Sequence, residues 1–291
     1  MTTTVGMLGL GSMGRPVAEH IATAGFDLIG FDPAGTAERI PAGARAAASG
    51  AEVMAAADVV LLSLPDGSAT RAVVDMVVAL EDRAVETIVD LSTVGPSTAV
   101  EAAAALAAVG VTYVDGPVSG GVSGAVAGTI SLMFAGPDRV LERHQSLLEC
   151  FSGNVFVVGS EAGQGQAMKL LNNFLSATAL AATSEAVVFG DRLGLDMNVM
   201  LDVLNASTGR NSATCDKFPN QVVTGAYATG FRTQLMTKDV ELYLAAVRSA
   251  GTPDSVGAAV AATWQSCDAG MPGSDFSEIY RFVAGQPDPS T

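Results

Sequence analysis

The chain predicts an α/β fold in which a doubly wound parallel sheet is followed by an all-helical domain, the two joined by one long helix. Three observations carry this. Up to about residue 161, short apolar runs alternate with helix-like segments and Gly/Pro turns, the pattern of strands buried on both faces with helical crossovers. Beyond that point each periodic segment has helical spacing and no strand signal is seen. Between the two runs lies a long apolar stretch interrupted by Lys169, Asn172, Asn173 and Glu185. The expected division is 1–161 and 162–291, with the joining helix over about 164–193, which would be about 45 Å long. Nearly every face of that helix is apolar, so burial within protein is expected, and its polar residues argue against a membrane span.

Composition narrows the function. The chain has 291 residues, 49% hydrophobic and 15% charged, enough for a sizeable core in one large domain or two ordinary ones. A formal net charge of -15 argues against nucleic acid and anionic membrane surfaces as partners, while leaving small anionic substrates open. Cys150, Cys215 and Cys267 are far apart and form no CxxC, so neither a disulfide frame nor a thiolate metal site is expected and all three read as inert core thiols of a reducing compartment. No basic segment precedes the first apolar run, which glycines break, so a signal peptide is not expected; the chain reads as soluble and cytoplasmic. Residues 285–291 read as a frayed tail.

Taken in order, residues 4–8 are a short apolar strand, followed by Gly9, Leu10, Gly11, Ser12, Met13 and Gly14, then a helix over 15–24 stopped at Gly25, then a strand over 27–31 ending at Asp32. Strand, GxGxxG, helix, strand and acid form the dinucleotide-binding (Rossmann) fingerprint in its full context. Gly9 permits the tight turn, Gly11 admits a pyrophosphate, Gly14 allows close helix–strand packing, and phosphate sits on the helix N-terminus. Asp32 follows Gly14 by 18 residues, near the spacing of an acid that binds the ribose 2′-OH. A carboxylate there repels a 2′-phosphate, and the nearest arginine, Arg39, reads as too far along the next element. NAD is therefore favoured as cofactor, with NADP second.

The alternation continues with strands over 59–64, 87–91 and 112–115 and helices over 68–80 and 96–108. Ligands of such sheets gather at the strands' C-terminal ends, which places Pro65 and Thr93 beside the cofactor; Thr93 reads equally as a cap of the following helix. The stretch 115–129 then carries Ser119, Gly120 and Gly121 among five glycines. Either the backbone merely turns there, or exposed N–H groups form a nest for a carboxylate or phosphate. Strands over 131–135 and 154–158 flank a helix over 138–149. After the long helix, further helices are expected over 196–205, 240–250, 255–268 and 275–283, the last capped by Ser274.

The opening of the long helix needs an explanation. Lys169, Asn172 and Asn173 lie at i, i+3 and i+4 and share one face. The bland reading is a snorkelling lysine with asparagines satisfying backbone. Against it, the chain has only three lysines, Lys169, Lys217 and Lys238, and its other basic residues are arginines. Lysine releases its proton when desolvated and arginine does not, so an acid/base role would select lysine.

Four stretches in order, Gly9-Leu-Gly-Ser-Met-Gly14, Asp115-Gly-Pro-Val-Ser-Gly-Gly121, Gly163-Gln-Gly-Gln-Ala-Met-Lys-Leu-Leu-Asn-Asn173 and Lys238-Asp239, make the chain resemble the β-hydroxyacid dehydrogenases, the group that contains 3-hydroxyisobutyrate dehydrogenase and tartronate semialdehyde reductase. The first stretch is generic; the second and third together are specific. The resemblance implies an NAD(P)-dependent oxidoreductase that interconverts a short 3-hydroxy acid and its semialdehyde or keto acid. It implies Lys169 as acid/base, Asn173 with Asn172 beside the reacting oxygen, Ser119, Gly120 and Gly121 as cradle for the substrate carboxylate, Leu64, Pro65 and Thr93 on the nicotinamide side, and Lys238 closing over the cofactor. It further implies a homodimer or homotetramer. No metal is required, and His20 and His144 read as structural. Arg210 reads as a surface arginine, with recognition of a second polar group as the other reading. An imine reductase shares this architecture but carries Asp or Tyr where Lys169 stands. A non-catalytic nucleotide-binding interaction protein would be expected to lack the lysine or to carry a basic extension.

Overall fold

Strands form where the chain is apolar on both sides of the backbone. In the computed structural model, which describes residues 3–286, the elements run β1 (Thr4–Leu8), α1 (Gly14–Thr23), β2 (Asp27–Phe31), β3 (Arg45–Ala46), α2 (Gly50–Ala56), β4 (Val59–Leu62), α3 (Gly67–Ala79), β5 (Thr87–Asp90), α4 (Pro96–Ala107), β6 (Thr112–Asp115), β7 (Val118–Ser119), α5 (Gly121–Ala127), β8 (Ile130–Ala135), α6 (Asp138–Glu149) and β9 (Ser152–Gly159). Of the tail expected over 285–291, residues 287–291 lie outside the described residues. The chain divides into two units, Met1–Lys169 and Leu170–Thr291.

In the first unit the strand order is β3-β2-β1-β4-β5-β6, continued by β8, which carries β7 and β9. Val59 and Leu61 of β4 enter one apolar cluster and Val60 and Leu62 the other, so both faces are covered, as helical crossovers of a doubly wound sheet require. The order reverses between β1 and β4, and such a switch point opens a crevice at the strands' C-terminal ends.

The sheet departs from an all-parallel one. β8 runs antiparallel to both β6 and β7, through Asp115↔Ala135 and Val118↔Leu132, while β9 is parallel to β8. A parallel return needs a crossover of about a dozen or more residues. The segment between β6 and β8 is largely spent on β7 and the short α5, which leaves an antiparallel return. The glycine-rich stretch is thus a two-residue strand followed by a helix, and β3 and α2 are further elements that the sequence pattern did not announce.

In the second unit α7 (Gln164–Arg192, beginning in the first) is followed by α8 (Met197–Asn205), a π-helical segment Ala213–Val222, α9 (Thr233–Ser249), α10 (Ser255–Gly270), a 3₁₀ turn Phe276–Glu278 and α11 (Ile279–Ala284). Its core gathers Leu180, Val187, Phe218, Met236, Val240 and Trp264. Pro219 lies inside the π-helical segment; proline cannot donate to an earlier carbonyl, and the wider winding tolerates it. α9 starts ahead of the expected residue 240, so Lys238 and Asp239 lie within a helix. The cap expected at Ser274 is instead Asp275, which forms a capping box with Glu278, because the Ser274 hydroxyl is engaged 2.6 Å from that of Thr233.

α7 is not buried on every face. Leu171, Leu175 and Phe189 are 45%, 57% and 67% exposed and fall on one stripe. No helix among the described residues is long and apolar enough to cross a membrane.

Candidate functional site

The turn between β1 and α1 is built by close approach. A Cβ on Gly9, whose φ is +90°, would lie 2.2 Å from the Ser63 carbonyl oxygen, and one on Gly14 2.0 Å from that of Gly9. A Cβ on Gly11 would meet nothing within 4 Å. Strand end, turn and helix are thus jammed together while the space above Gly11 stays open, and Gly11 and Ser12 are exposed. α1 has no side-chain cap at Met13, and an uncapped helix N-terminus suits a pyrophosphate. Leu10 contributes differently: its side chain is in the core, and its N–H donates to Asp32 Oδ2 at 2.8 Å.

Asp32, buried at the end of β2, also accepts from Ala34 N at 2.8 Å through Oδ1. Arg39 is not out of reach, as its place along the chain suggested: its Nη1 lies 3.2 Å from Asp32 Oδ2. The irregular stretch after β2 folds back through the Thr36 hydroxyl, which accepts from Asp32 N at 3.0 Å. A guanidinium therefore stands beside the carboxylate that would face a ribose.

Beyond β4 and β5 the strand ends are tied to each other. Leu64 N donates to Ser92 Oγ at 2.8 Å. Asp90, fully buried, accepts from Ser92 N, Thr70 Oγ1 and Tyr113 Oη; burial raises its pKa against the pull of those donors. Pro65 is exposed and Thr93 half-buried. Thr93 is not the cap of α4, whose N-cap position is Gly95 without a side-chain cap. On the next strands Ser119 pairs with Ser131, and Gly120 and Gly121 have φ of 129° and 65°, conformations that side-chain-bearing residues avoid.

The first turn of α7 is set into the sheet by residues that sequence reasoning did not single out. Asp115 Oδ2, at the end of β6, accepts from Gly163 N and Gln166 N, each at 2.9 Å. Burial pushes its carboxyl up to about 6, against the donors from Gln166 and Gly163. The Gln166 carboxamide donates to Ser92 O and Asp115 Oδ1 and accepts from Val94 N and Gly95 N. Lys169 follows one turn later and is 8% exposed.

In the second unit a carboxylate links three of the expected residues. Asn173 Nδ2 donates to Asp239 Oδ2 at 2.6 Å, Asn172 Nδ2 donates to Asn173 Oδ1 at 3.1 Å, and Lys238 Nζ lies 3.2 Å from Asp239 Oδ1. Asp239 sits in one of the four stretches that carried the resemblance, yet only its burial at 2% exposure reveals what it holds. Arg210 is exposed and donates to Cys215 Sγ at 3.3 Å. Cys215 is itself exposed rather than a core thiol, while burial pushes the thiols of Cys150 and Cys267 up to about 11 and about 12. His20 Nε2 lies 3.1 Å from the Ala125 and Val126 carbonyls, and His144 is buried, its pKa lowered first by burial and then by Arg143. Among the described residues no group of three or more His, Cys, Asp or Glu is placed to hold a metal.

Comparison with known proteins gives the same outline. Residues 4–159 match the NAD-binding domain of 6-phosphogluconate dehydrogenase, and residues 163–283 match a family described as NAD-binding of NADP-dependent 3-hydroxyisobutyrate dehydrogenase. A probable 3-hydroxyisobutyrate dehydrogenase of Mycobacterium tuberculosis is 34% identical over 294 residues, covering 98% of this chain and 99% of that protein. A 2-(hydroxymethyl)glutarate dehydrogenase of Eubacterium barkeri is 33% identical over 253 residues, covering 86% of this chain and 84% of its own. The solved structure of the M. tuberculosis 3-hydroxyisobutyrate dehydrogenase with L-serine superposes with a TM-score of 0.89 at 33% identity, covering 97% and 99% of the two chains. An imine reductase from a Pseudomonas species, at 19% identity and a TM-score of 0.61, shares the fold alone.

The fold and these relationships define a nicotinamide-dependent oxidoreductase with a dinucleotide-binding sheet followed by a helical region. The chain belongs to the β-hydroxyacid dehydrogenase family.

Proposed function

We propose that the chain interconverts a short 3-hydroxy acid and its semialdehyde or keto acid, with Lys169 as general acid/base. The observation that carries this reading is the placement of Lys169: it is buried at the start of α7, whereas Lys217 and Lys238 are partly exposed. A desolvated ammonium gives up its proton readily, and an alcohol becomes a carbonyl only if some group takes the hydroxyl proton. A bound nicotinamide supplies hydride chemistry. Lys169 takes the hydroxyl proton in oxidation and returns it in reduction. Asn173, one turn on and held by Asp239, fixes the reacting oxygen, with Asn172 beside it. Ser119 and the amides of Gly120 and Gly121 hold the substrate carboxylate, so the reacting carbon has one orientation.

For the cofactor, Gly9, Leu10, Gly11, Ser12, Met13 and Gly14 form the phosphate turn, Asp32 takes the ribose hydroxyls, Leu64, Pro65 and Thr93 border the nicotinamide, and Lys238 contributes from the helical region. NAD is the preferred cofactor, since Asp32 disfavours a 2′-phosphate. Arg39, beside it, leaves NADP as a second substrate. In this reading residues 1–161 bind nucleotide and 162–291 provide substrate contacts and subunit association. The exposed apolar stripe of α7, Leu171, Leu175 and Phe189, supports a homodimer or homotetramer. The charge of -15 disfavours nucleic acid and anionic membrane as partners.

The test is Lys169→Ala. Turnover is lost while NADH still binds; a variant with near-normal kcat rules the acid/base assignment out. A panel of 3-hydroxy acids and two- and three-carbon semialdehydes, run with both cofactors, identifies the substrate class.

A further inference from the structure

We propose that Gln166 is a positioning residue of the reaction: its carboxamide fixes the first turn of α7 to the segments after β5 and β6 and thereby sets where Lys169 stands. The inference rests on the reading of Lys169 as acid/base.

The Gln166 side chain is fully buried, although glutamine is ordinarily a surface residue. Each polar position is used twice. Oε1 accepts from Val94 N at 2.8 Å and Gly95 N at 3.1 Å. Nε2 donates to Ser92 O at 3.0 Å and Asp115 Oδ1 at 2.8 Å. Both groups facing Oε1 are donors and both facing Nε2 are acceptors, so only one orientation of the amide satisfies all four. The bonds to Ser92, Val94 and Gly95 bracket Thr93 on both sides.

The same residue's backbone N–H is held by Asp115 Oδ2 at 2.9 Å. Asp115 thus serves as the cap that α7 lacks in its own sequence. The approach leaves no slack: a Cβ on Gly165 would lie 2.7 Å from the Asp115 carbonyl oxygen and 2.9 Å from that of Met133. Lys169 is three residues beyond Gln166 and therefore on the same helix face, so it rises from the turn that this network pins. An apolar side chain of similar size would pack there, but it would leave two amides, a carbonyl and a carboxylate oxygen buried without partners. The turn would then settle elsewhere, and a displacement of about 1 Å at a catalytic group costs about 100-fold in rate.

The experiment uses the full chain with Gln166→Leu and Asp115→Asn, reading kcat, KM, the pH profile of kcat and NADH binding by fluorescence. In Gln166→Leu, kcat falls about 100-fold with little change in KM, and the pH profile of kcat is displaced from that of the wild type. NADH still binds, because the Gly9–Gly14 turn is untouched. Wild-type kcat and pH profile with only a lower melting temperature would show a purely structural side chain and overturn the inference. Should Gln166→Leu fail to bind NADH, Asp115→Asn decides: its new amide opposes Gln166 Nε2 donor to donor, the network breaks, and the same fall in kcat is expected, whereas unchanged kcat overturns the inference. A Lys169→Ala variant that keeps its turnover removes the underlying reading, and does so whatever the Gln166 variants show.

Discussion

Asp239 grips the carboxamide of Asn173: Nδ2 donates to Oδ2 at 2.6 Å, with the two residues 2% and 6% exposed. Asn172 donates to the other end of the same carboxamide, so Asn173 has one orientation, with Nδ2 toward Asp239 and Oδ1 toward Asn172. A hydrogen bond to a charged group is worth about 1.5–3 kcal/mol. If Asn173 holds the reacting oxygen, Asp239→Ala releases that orientation and lowers kcat by about 10- to 100-fold, with NADH affinity much less affected. Steady-state kinetics decide it, and an unaltered kcat would detach Asn173 from the chemistry.

Arg39 should act on cofactor choice. Its guanidinium stands 3.2 Å from Asp32 Oδ2 with the side chain 37% exposed, so it offsets the carboxylate's repulsion of a 2′-phosphate while remaining screened. Such a charge is worth up to about 1 kcal/mol. Arg39→Ala is expected to weaken NADPH binding by about fivefold and NADH binding less; fluorescence titration of both cofactors measures the ratio. An unchanged ratio would leave Arg39 as a loop anchor only.

What could be read from the residues, and what could not, follows from the physics of each feature. β1, β2 and β6 have the expected bounds, because an apolar run closed by glycine or aspartate has few other ways to hide its backbone. The GxGxxG turn was readable because three glycines at fixed spacing have three separate steric reasons. The reversal at β8 was not, since an apolar strand reads alike in parallel and antiparallel pairing. Arg39 reaches Asp32 through a loop without periodicity. Gln166 and Asp115 are separated by 51 residues, and no local pattern reports a bond between them. The open face of α7 escaped for another reason: an apolar helix has the same composition whether its neighbour is its own chain or another one.

That open face carries a prediction of its own. Leu175 and Phe189 are 57% and 67% exposed on one stripe of α7, and a large exposed apolar patch marks an association surface. Replacing either by aspartate puts a charge in the contact. Leu175→Asp and Phe189→Asp are expected to lower the oligomeric state in sedimentation or light scattering while the fold, followed by circular dichroism, is kept. A wild-type chain that sediments as a monomer would dismiss the surface as an interface.

Stability should vary with pH through Asp115. Burial raises its carboxyl from 3.8 to about 6, against the donors of Gln166 and Gly163. The native state therefore holds this proton more tightly than the unfolded chain, and the contribution to stability is present below about pH 4 and lost as pH rises toward about 6. A displacement of this size corresponds to about 3 kcal/mol. Urea midpoints of the wild type and Asp115→Asn, compared from about pH 4 to about pH 8, are expected to diverge in their pH dependence between about pH 4 and 6 and to run parallel above about pH 7. Parallel curves across the whole range would mean that Asp115 titrates alike in both states.

Gly165→Ala sets two effects of opposite sign against each other. Within a helix, alanine is favoured over glycine by about 1 kcal/mol. At Gly165 the added Cβ would lie 2.7 Å from the Asp115 carbonyl oxygen, 2.9 Å from Asp115 Cγ and 2.9 Å from the Met133 carbonyl oxygen. Two of those atoms are backbone, and the third belongs to a carboxylate held by three donors, so none yields by a side-chain rotation. Overpacking of this kind costs about 1–3 kcal/mol or more, and sterics win. Gly257 in α10 is the contrast: its Cβ would meet only side-chain atoms of Tyr243 and Leu244 at 3.4 Å and beyond. Thermal unfolding is expected to show a loss for Gly165→Ala and a gain for Gly257→Ala. Because the Gly165 side of the comparison also moves the turn that leads to Lys169, its kcat should fall while that of Gly257→Ala does not. Two variants that behave alike would mean that the start of α7 has room the distances deny.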